Sequence, residues 1–526
     1  MTRRLPNGQP YPPANETTTM NYNAQLKNQE VITNHEGANA YRMSAEMELY
    51  SAVVTTMLAD LNYENADERV QRIADLVAKV DPIFVAQLAV YARTCMNMRS
   101  VPMLLLVELA RVHKGDNLVA RAVAKTISRA DEISELLACY QLRNPQEGIK
   151  KLAKLSHQLQ AGLQEAFNKF DEYQFAKYDR SSQVVRLRDA LFLVHPKAKD
   201  PEQQAIFDKI ASQTLETPYT WETELSALGQ QHFESEEAKE AAIAAKWEEL
   251  IASGKLGYMA LLRNLRNIAQ SGVSSTHINA VCARLKDPQA VLKSKQLPFR
   301  FLSAYREMTQ VQSPYTAHIL DSLEEAVVIS ALNINGFSAN DKVLLACDVS
   351  GSMRRPISLR SSVENYDIGL MLAMLFQTTC KQVTAGIFGD TWKVTPLPTK
   401  GILANTMKLR ELGNTVGFST NGHLVLDWAI ENRVAYDKVL MFTDEQMWDS
   451  QYGRKSAIRE SWHQYKLLHP QTKLYLFDLS GYGKSPFRET EKDVYMIAGW
   501  SDKVFEMLDA LEDGNNVLSK IKEIDV

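Results

Sequence analysis

The hydrophobic period of this chain changes once, near residue 335, and that change limits what it can fold into. From about residue 40 up to that point, apolar residues recur at three- and four-residue spacing, as in Ser44–Leu61 and DERVQRIADLVAKV (67–80). This is the pattern of helices buried along one stripe. IFVAQLAVYARTC, VPMLLLVELARVH and LVARAVAKTIS follow, separated only by short breaks at Asp81-Pro82, Ser100-Val101-Pro102 and Lys114-Gly115-Asp116. Short connections between amphipathic helices imply antiparallel pairs, as in an α-solenoid or a bundle. No fixed-period repeat of the tetratricopeptide or ankyrin type is present, so HEAT-like pairs are the compatible form.

After NINGFSAN (333–340) the pattern alternates between strand-length apolar runs and helices. The runs predict strands at 342–349, 382–388, 392–397, 438–443, 473–479 and 494–499, and helices at 363–379, 422–432, 455–467 and 502–512. Such alternation predicts a mostly parallel, doubly wound sheet, whose ligands bind at the carboxyl ends of its strands. The expected chain is therefore multidomain. Residues 1–22 form a flexible polar tail, 23–335 an all-α half and 340–526 an α/β half.

Composition narrows the function classes. With 23% charged residues and a formal net charge of -4, the chain is not basic overall, so a nucleic-acid site has to be a local patch. The five cysteines are scattered without a CxxC, which fits a reducing compartment. The N-terminus MTRRLPNGQPYPPANETTT lacks an apolar core of the signal-peptide kind, and no uncharged apolar run reaches about 18 residues. The expectation is a cytoplasmic protein without a membrane span.

In DKVLLACDVSGSM (341–353) an apolar strand runs into Asp348, Ser350 and Ser352. Alternate oxygen-bearing side chains at a strand end suit a hard divalent cation. STNG (419–422) adds Thr420 from a loop before a helix, and FTDEQ (442–446) adds Asp444 from the end of another strand. The plainer alternative is a strand-end turn in which Asp348 caps a helix and the serines satisfy backbone groups. Together the five residues resemble the metal-ion-dependent adhesion site of the von Willebrand factor A fold, over about residues 340–526. That resemblance implies direct contacts from Ser350, Ser352 and Thr420 to the metal, with Asp348 and Asp444 acting through water. It also implies Mg²⁺ as the ion, and one coordination position left for an acidic group of a partner. Catalysis is not expected, since the chain has no GxSxG elbow, P-loop, GxGxxG or nucleophile–base pair.

Charge is unevenly spread over the helical half. Residues 202–249 carry eleven acidic and three basic side chains, 251–306 nine basic and one acidic, and 150–199 ten basic and five acidic. Phosphate backbones are bound by such basic clusters, and nearby rings such as Tyr173, Tyr178, Tyr258 and Tyr305 can stack unpaired bases.

YARTCMNMRSVPMLLLVELA (91–110), MALLRNLRNI (259–268) and LPFRFLSAYR (297–306) resemble the TROVE module, the RNA-binding module of the Ro autoantigen family. TROVE followed by a von Willebrand A domain is the Ro architecture. The resemblance implies a ring of HEAT-like helical pairs around a positive hole. It implies binding of small noncoding Y-like RNA on an outer face and capture of single-stranded 3′ ends of misfolded or fragmentary RNA in the hole. It also implies cooperation with an exoribonuclease such as polynucleotide phosphorylase. Carried onto this sequence, Lys177, Arg180, Arg186 and His195 are expected on the outer RNA surface, and Arg93, Arg99, Arg263 and Arg266 in the hole. A ring closed by one chain favours a monomer. The competing expectation is a metal-dependent protein-interaction scaffold that uses the A domain without RNA.

Overall fold

The computed structural model describes residues 30–56, 58, 60–145, 154–179, 182–330, 340–358, 361–378, 380–451, 457–500, 508 and 517–526. Among these, seventeen helices run from Ala45–Val54 to Thr316–Ser330. Several of their starts carry side-chain caps. Asn65 forms a capping box with Glu68 at the head of Ala66–Val77, and Asp81 caps Pro82–Thr94, whose first residue is the proline. Helices of this row stack on one another: Pro82–Thr94 lies on Ser100–Val112, Leu118–Thr126 on His157–Phe167, and Pro298–Thr309 on Thr316–Ser330. At the second of these contacts the packing is close enough that a Cβ on Gly162 would meet Val123 Cβ at 2.6 Å.

The α/β half is built on a six-stranded sheet. Its strands are β3 (Lys342–Asp348), β4 (Gln382–Phe388), β5 (Trp392–Val394), β6 (Lys438–Thr443), β7 (Lys473–Asp478) and β9 (Val494–Ala498), in the order β5-β4-β3-β6-β7-β9. All neighbours are parallel except β4 and β5. β6 is buried along its whole length, and β3 and β7 along all but their first residue, as a sheet covered on both faces requires. The six expected strands are all present. The expected helices at 363–379, 422–432 and 455–467 appear as Asn365–Gln377, His423–Glu431 and Ala457–Leu468. The expected helix at 502–512 falls almost wholly outside the described residues, as does the tail over 1–22.

Three features were not anticipated. A helix at Ile402–Leu412 packs on Asn365–Gln377. A hairpin of β1 (Val31–Thr33) and β2 (Asn39–Arg42) precedes the helices, and its second strand pairs antiparallel with β8 (Lys484–Ser485) of the α/β half. The residues from 30 to 42 therefore belong structurally with the C-terminal half. The row of helices also meets the α/β half at both ends. Ala45–Val54 packs on β9, where the Tyr50 hydroxyl donates to the Ala498 carbonyl at 2.8 Å. Pro298–Thr309 and Thr316–Ser330 pack on Asn365–Gln377 and Ile402–Leu412. The α/β half thus closes the helical row on itself.

That closure is polar as well as apolar. Asp367, fully buried at the head of Asn365–Gln377, accepts from Arg306 Nη1 at 2.8 Å and from Arg410 Nη1 at 2.7 and 2.8 Å. Arg306 belongs to the basic run 251–306, yet it joins the two halves. No described helix is long and apolar enough to cross a membrane.

Candidate functional site

Two places in the fold collect chemistry. The first is a cavity of about 1020 Å³ enclosed by the helical row, to which the α/β half contributes Ser358 and Trp500. Among the described residues, eight cationic side chains line it against three anionic ones, with six aromatic residues in the lining. Their environments differ. Arg93 is committed to Glu132, a fully buried carboxylate, at 2.8 Å. Arg99 and Arg129 both pair with Asp131, at 2.6 and 3.0 Å. Lys177 and Lys255 lie over tyrosine rings, 5.7 Å from the Tyr178 centroid and 5.2 Å from that of Tyr219. Arg263, Lys295 and Arg300 form no ion pair among the described residues. Burial, reinforced by the nearby Arg263 charge, lowers the Arg300 pKa, so an anion placed between these two arginines is favoured.

Of the four arginines expected in the hole, Arg93, Arg99 and Arg263 line this cavity. Arg266 does not; it pairs with Glu307 at 2.9 Å. The helix Tyr258–Gln270 presents its first turns to the cavity, through Tyr258, Met259, Ala260 and Arg263, and the next turn lies beyond the rim. Three-residue spacing gives a shared helix face but not a shared depth. Lys177, expected on the outer surface, also lines the cavity. Arg186 and His195 are exposed at the two ends of Leu187–Val194, and Arg180 lies outside the described residues. His195 caps that helix in the left-handed conformation, with φ +50°, and its carbonyl accepts from Gln164 at 3.2 Å. Lys295, Arg300, Arg129, Trp221 and Trp500 were not assigned to the hole beforehand. The basic run 251–306, interrupted only by Asp287, was the available signal for the first two.

The second place lies at the carboxyl ends of β3 and β6. Asp348, Ser350, Ser352, Thr420 and Asp444 are brought together there, and each is at most 6% exposed. Asp348 Oδ1 accepts from the Ser350 amide at 2.9 Å and Oδ2 from the Thr443 hydroxyl at 2.8 Å. The Ser350 and Ser352 hydroxyl oxygens are 3.2 Å apart. The loop bearing Thr420 is tied to both neighbours: Gly351 N donates to Phe418 O at 2.9 Å and Trp448 N to Thr420 O at 3.2 Å. Gly417 permits this loop, since at φ +80° it leaves space that the Asp390 carboxylate fills, and that carboxylate accepts from Ser419 N at 2.8 Å.

Burial raises the pKa of both aspartates, and the Asp348 charge raises that of Asp444 further. Asp444 Oδ2 is buried with no hydrogen-bond partner among the described residues. A divalent cation fits this donor set, because it supplies the missing partner and offsets the two carboxylates. The strand-end cap alternative leaves Asp444 Oδ2 unexplained. The site is not open as the adhesion-site pattern implied. The hairpin turn 34–38 packs on the loop that follows Asp444: Asn34 Nδ2 donates to Met447 O at 2.9 Å and His35 N to Gln446 Oε1 at 2.9 Å.

Comparison with known proteins places these features. The TROVE domain model matches residues 16–241 and 212–328, and the Ro60 vWA domain model matches 342–511. The chain is 26% identical to the RNA-binding protein RO60 of Deinococcus radiodurans, over 51% of this chain and 55% of that protein. It is 25% identical to telomerase protein component 1 of Rattus norvegicus, over 51% of this chain but only 13% of that much longer protein. In fold it is similar to the crystal structure of the Deinococcus radiodurans Ro (RSR) protein, with a TM-score of 0.57 at 20% identity, covering 89% of this chain and all of that one. With the helical row matched from end to end and a Ro60-type A domain closing it, the chain belongs to the TROVE-domain family in its Ro arrangement.

Proposed function

We propose that the protein binds RNA, taking a single-stranded 3′ end of misfolded or fragmentary RNA into the cationic cavity. The observation that carries this reading is the cavity lining: cations outnumber anions, Arg263, Lys295 and Arg300 lack carboxylate partners among the described residues, and rings stand among them. Phosphates satisfy the unpaired cations, and bases stack on the rings. A duplex or closed terminus cannot present a lone strand, so the cavity selects free tails. A structured, Y-like small RNA lies on the outer face beside Arg186 and His195. The relative RO60 is named an RNA-binding protein, which supports the class. The chain holds RNA for an exoribonuclease, such as polynucleotide phosphorylase, in RNA quality control, and acts as a cytoplasmic monomer without catalysis of its own.

In this reading a divalent cation, Mg²⁺, is held by Ser350, Ser352 and Thr420 with Asp348 and Asp444 behind them. When bound it supplies positive charge that joins three strand-end loops. The scaffold reading, in which this metal recruits a partner's carboxylate, is disfavoured because the oxygen set is buried and the chain's own hairpin packs on the loop that follows Asp444.

The test is equilibrium binding of a hairpin RNA with a single-stranded 3′ tail, against the same hairpin blunt-ended, across a salt series. Salt-sensitive preference for the tail is expected. Equal, weak binding of both RNAs would sink the cavity mechanism.

A further inference from the structure

The charge on the cavity lining is unevenly divided. One group of cations is balanced: Arg99 and Arg129 share Asp131 at 2.6 and 3.0 Å, Arg93 has Glu132 at 2.8 Å, and the Arg129 guanidinium and Lys177 ammonium lie 4.5 and 5.7 Å from the Tyr178 ring centroid. The other group, Arg263, Lys295 and Arg300, has no carboxylate partner among the described residues. These three stand on one stretch of wall. Tyr258–Gln270 packs on both Pro288–Ser294 and Pro298–Thr309. At its head, Tyr258 meets Phe301 edge-on with ring centroids 6.3 Å apart, so the starts of two helices lie side by side. Arg300 sits in the first turn of the second helix, Arg263 about one and a half turns along the first, and Lys295 ends the short helix between them. Neither head has a side-chain cap, so the positive ends of both helices add to the three cations. Lys295 is held left-handed at φ +51°, in a turn tied by Ser294 Oγ to Val291 O at 2.6 Å and by Gln296 Nε2 to Ser294 O at 2.8 Å. Arg300 is half-buried, and the Arg263 charge joins burial in lowering its pKa. This wall is short of negative charge.

A phosphodiester inside a strand brings one negative charge, whereas a terminal phosphomonoester brings about 1.5 to 2 at neutral pH, on three free oxygens. Cations gathered without a counter-ion favour the ligand that delivers the most charge in one group. We propose that Arg263, Lys295 and Arg300 form a subsite for the terminal phosphate of an RNA 3′ end, so that the protein prefers single-stranded tails ending in a 3′-phosphate to those ending in a 3′-hydroxyl. The inference rests on the reading that a 3′ tail enters this cavity, and it names the kind of end. Such ends arise where an RNA's own 2′-hydroxyl oxygen attacks the adjacent phosphorus, the 5′-oxygen of the next nucleotide leaves with the proton, and water then opens the cyclic diester at the 2′-oxygen. The class of reaction that must supply the ligand is therefore endonucleolytic cleavage by internal transesterification.

The experiment measures binding of the full chain, at fixed salt, to one hairpin RNA with a single-stranded 3′ tail. The tail ends in a 3′-hydroxyl, a 3′-phosphate or a 3′-methyl phosphodiester; a fourth RNA keeps the 3′-hydroxyl and carries a 5′-phosphate, and a fifth is the blunt hairpin. Wild type should bind the 3′-phosphate about tenfold more tightly than the 3′-hydroxyl, the scale of one further charge-assisted hydrogen bond. The methyl ester, with its single charge, should fall between, and the 5′-phosphate should add nothing. Arg300→Gln and Arg263→Gln should each remove most of the preference, while Arg266→Gln, outside the cavity, should keep it. Arg263 is exposed, so Arg263→Gln serves if Arg300→Gln does not fold. Equal binding of tailed and blunt hairpins by wild type overturns the cavity reading and with it the inference. A preference for tails with equal affinity for 3′-phosphate and 3′-hydroxyl ends, an equal gain from the 5′-phosphate, or a 3′-phosphate preference undiminished in Arg263→Gln overturns the terminal-phosphate subsite alone.

Discussion

Replacing Arg263, Lys295 and Arg300 together by glutamine removes the three cavity cations that have no carboxylate partner among the described residues. Each phosphate neutralised on a single strand contributes about 0.7 to the slope of log K against log salt, so three contribute about 2. Between 50 and 200 mM salt that difference amounts to about a 15-fold smaller loss of affinity in the variant than in wild type. The assay is fluorescence anisotropy with a tailed hairpin at four or more salt concentrations. Arg266→Gln is the control: it lies three residues from Arg263 on the same helix but pairs with Glu307 outside the cavity, so its slope should match wild type. An unchanged slope in the triple variant, or an equal change in Arg266→Gln, would refute the assignment of the cavity as the phosphate site.

Other outcomes follow from the remaining geometry. Asp367→Ala leaves Arg306 and Arg410 facing each other in a nearly dry contact and should cost about 3–5 kcal/mol in urea unfolding. Arg306→Met should cost less, because Arg410 still serves Asp367, and should leave RNA affinity unchanged. Glu324→Ala removes the acceptor for the Leu403 and Ala404 amides and should cost about 0.5–2 kcal/mol, with faster hydrogen exchange at the head of Ile402–Leu412. His195→Gly should hold or raise the melting temperature, since a left-handed cap favours glycine, while weakening binding of a structured RNA without a tail. Mg²⁺ at about 100 times its dissociation constant should stabilise wild type by about 2.7 kcal/mol, and chelation or Ser352→Ala should remove that gain.

Local pattern carried much of this architecture. The strands of the sheet were legible because parallel strands buried on both faces read as unbroken apolar runs, KVLLACD and KVLMFT among them. Most of the strand-end oxygen set was legible because Asp348, Ser350, Ser352 and Asp444 follow such runs, and Thr420 was legible from its loop before a helix. The helix Ile402–Leu412 was not, since its first amides are capped by Glu324 from the other half of the chain, about eighty positions away. The hairpin was missed for the same kind of reason: VIT and NAYR are too short to announce strands, and β2 finds its partner β8 more than four hundred residues on. The arginines show the limit most plainly, for composition marked 251–306 as basic but could not tell Arg263 in the cavity from Arg266 at its rim or Arg306 in the joint.

The two halves exchange their ends. β2 completes a sheet with β8, while Val517–Lys522 returns to Pro82–Thr94, where Gln87 Nε2 donates to the Lys522 and Ile524 carbonyls at 2.7 and 3.1 Å. A chain severed anywhere between residues 330 and 340 would therefore yield two fragments that stay together as a complementing pair, each wearing a piece of the other, and neither half would make a well-behaved truncation product.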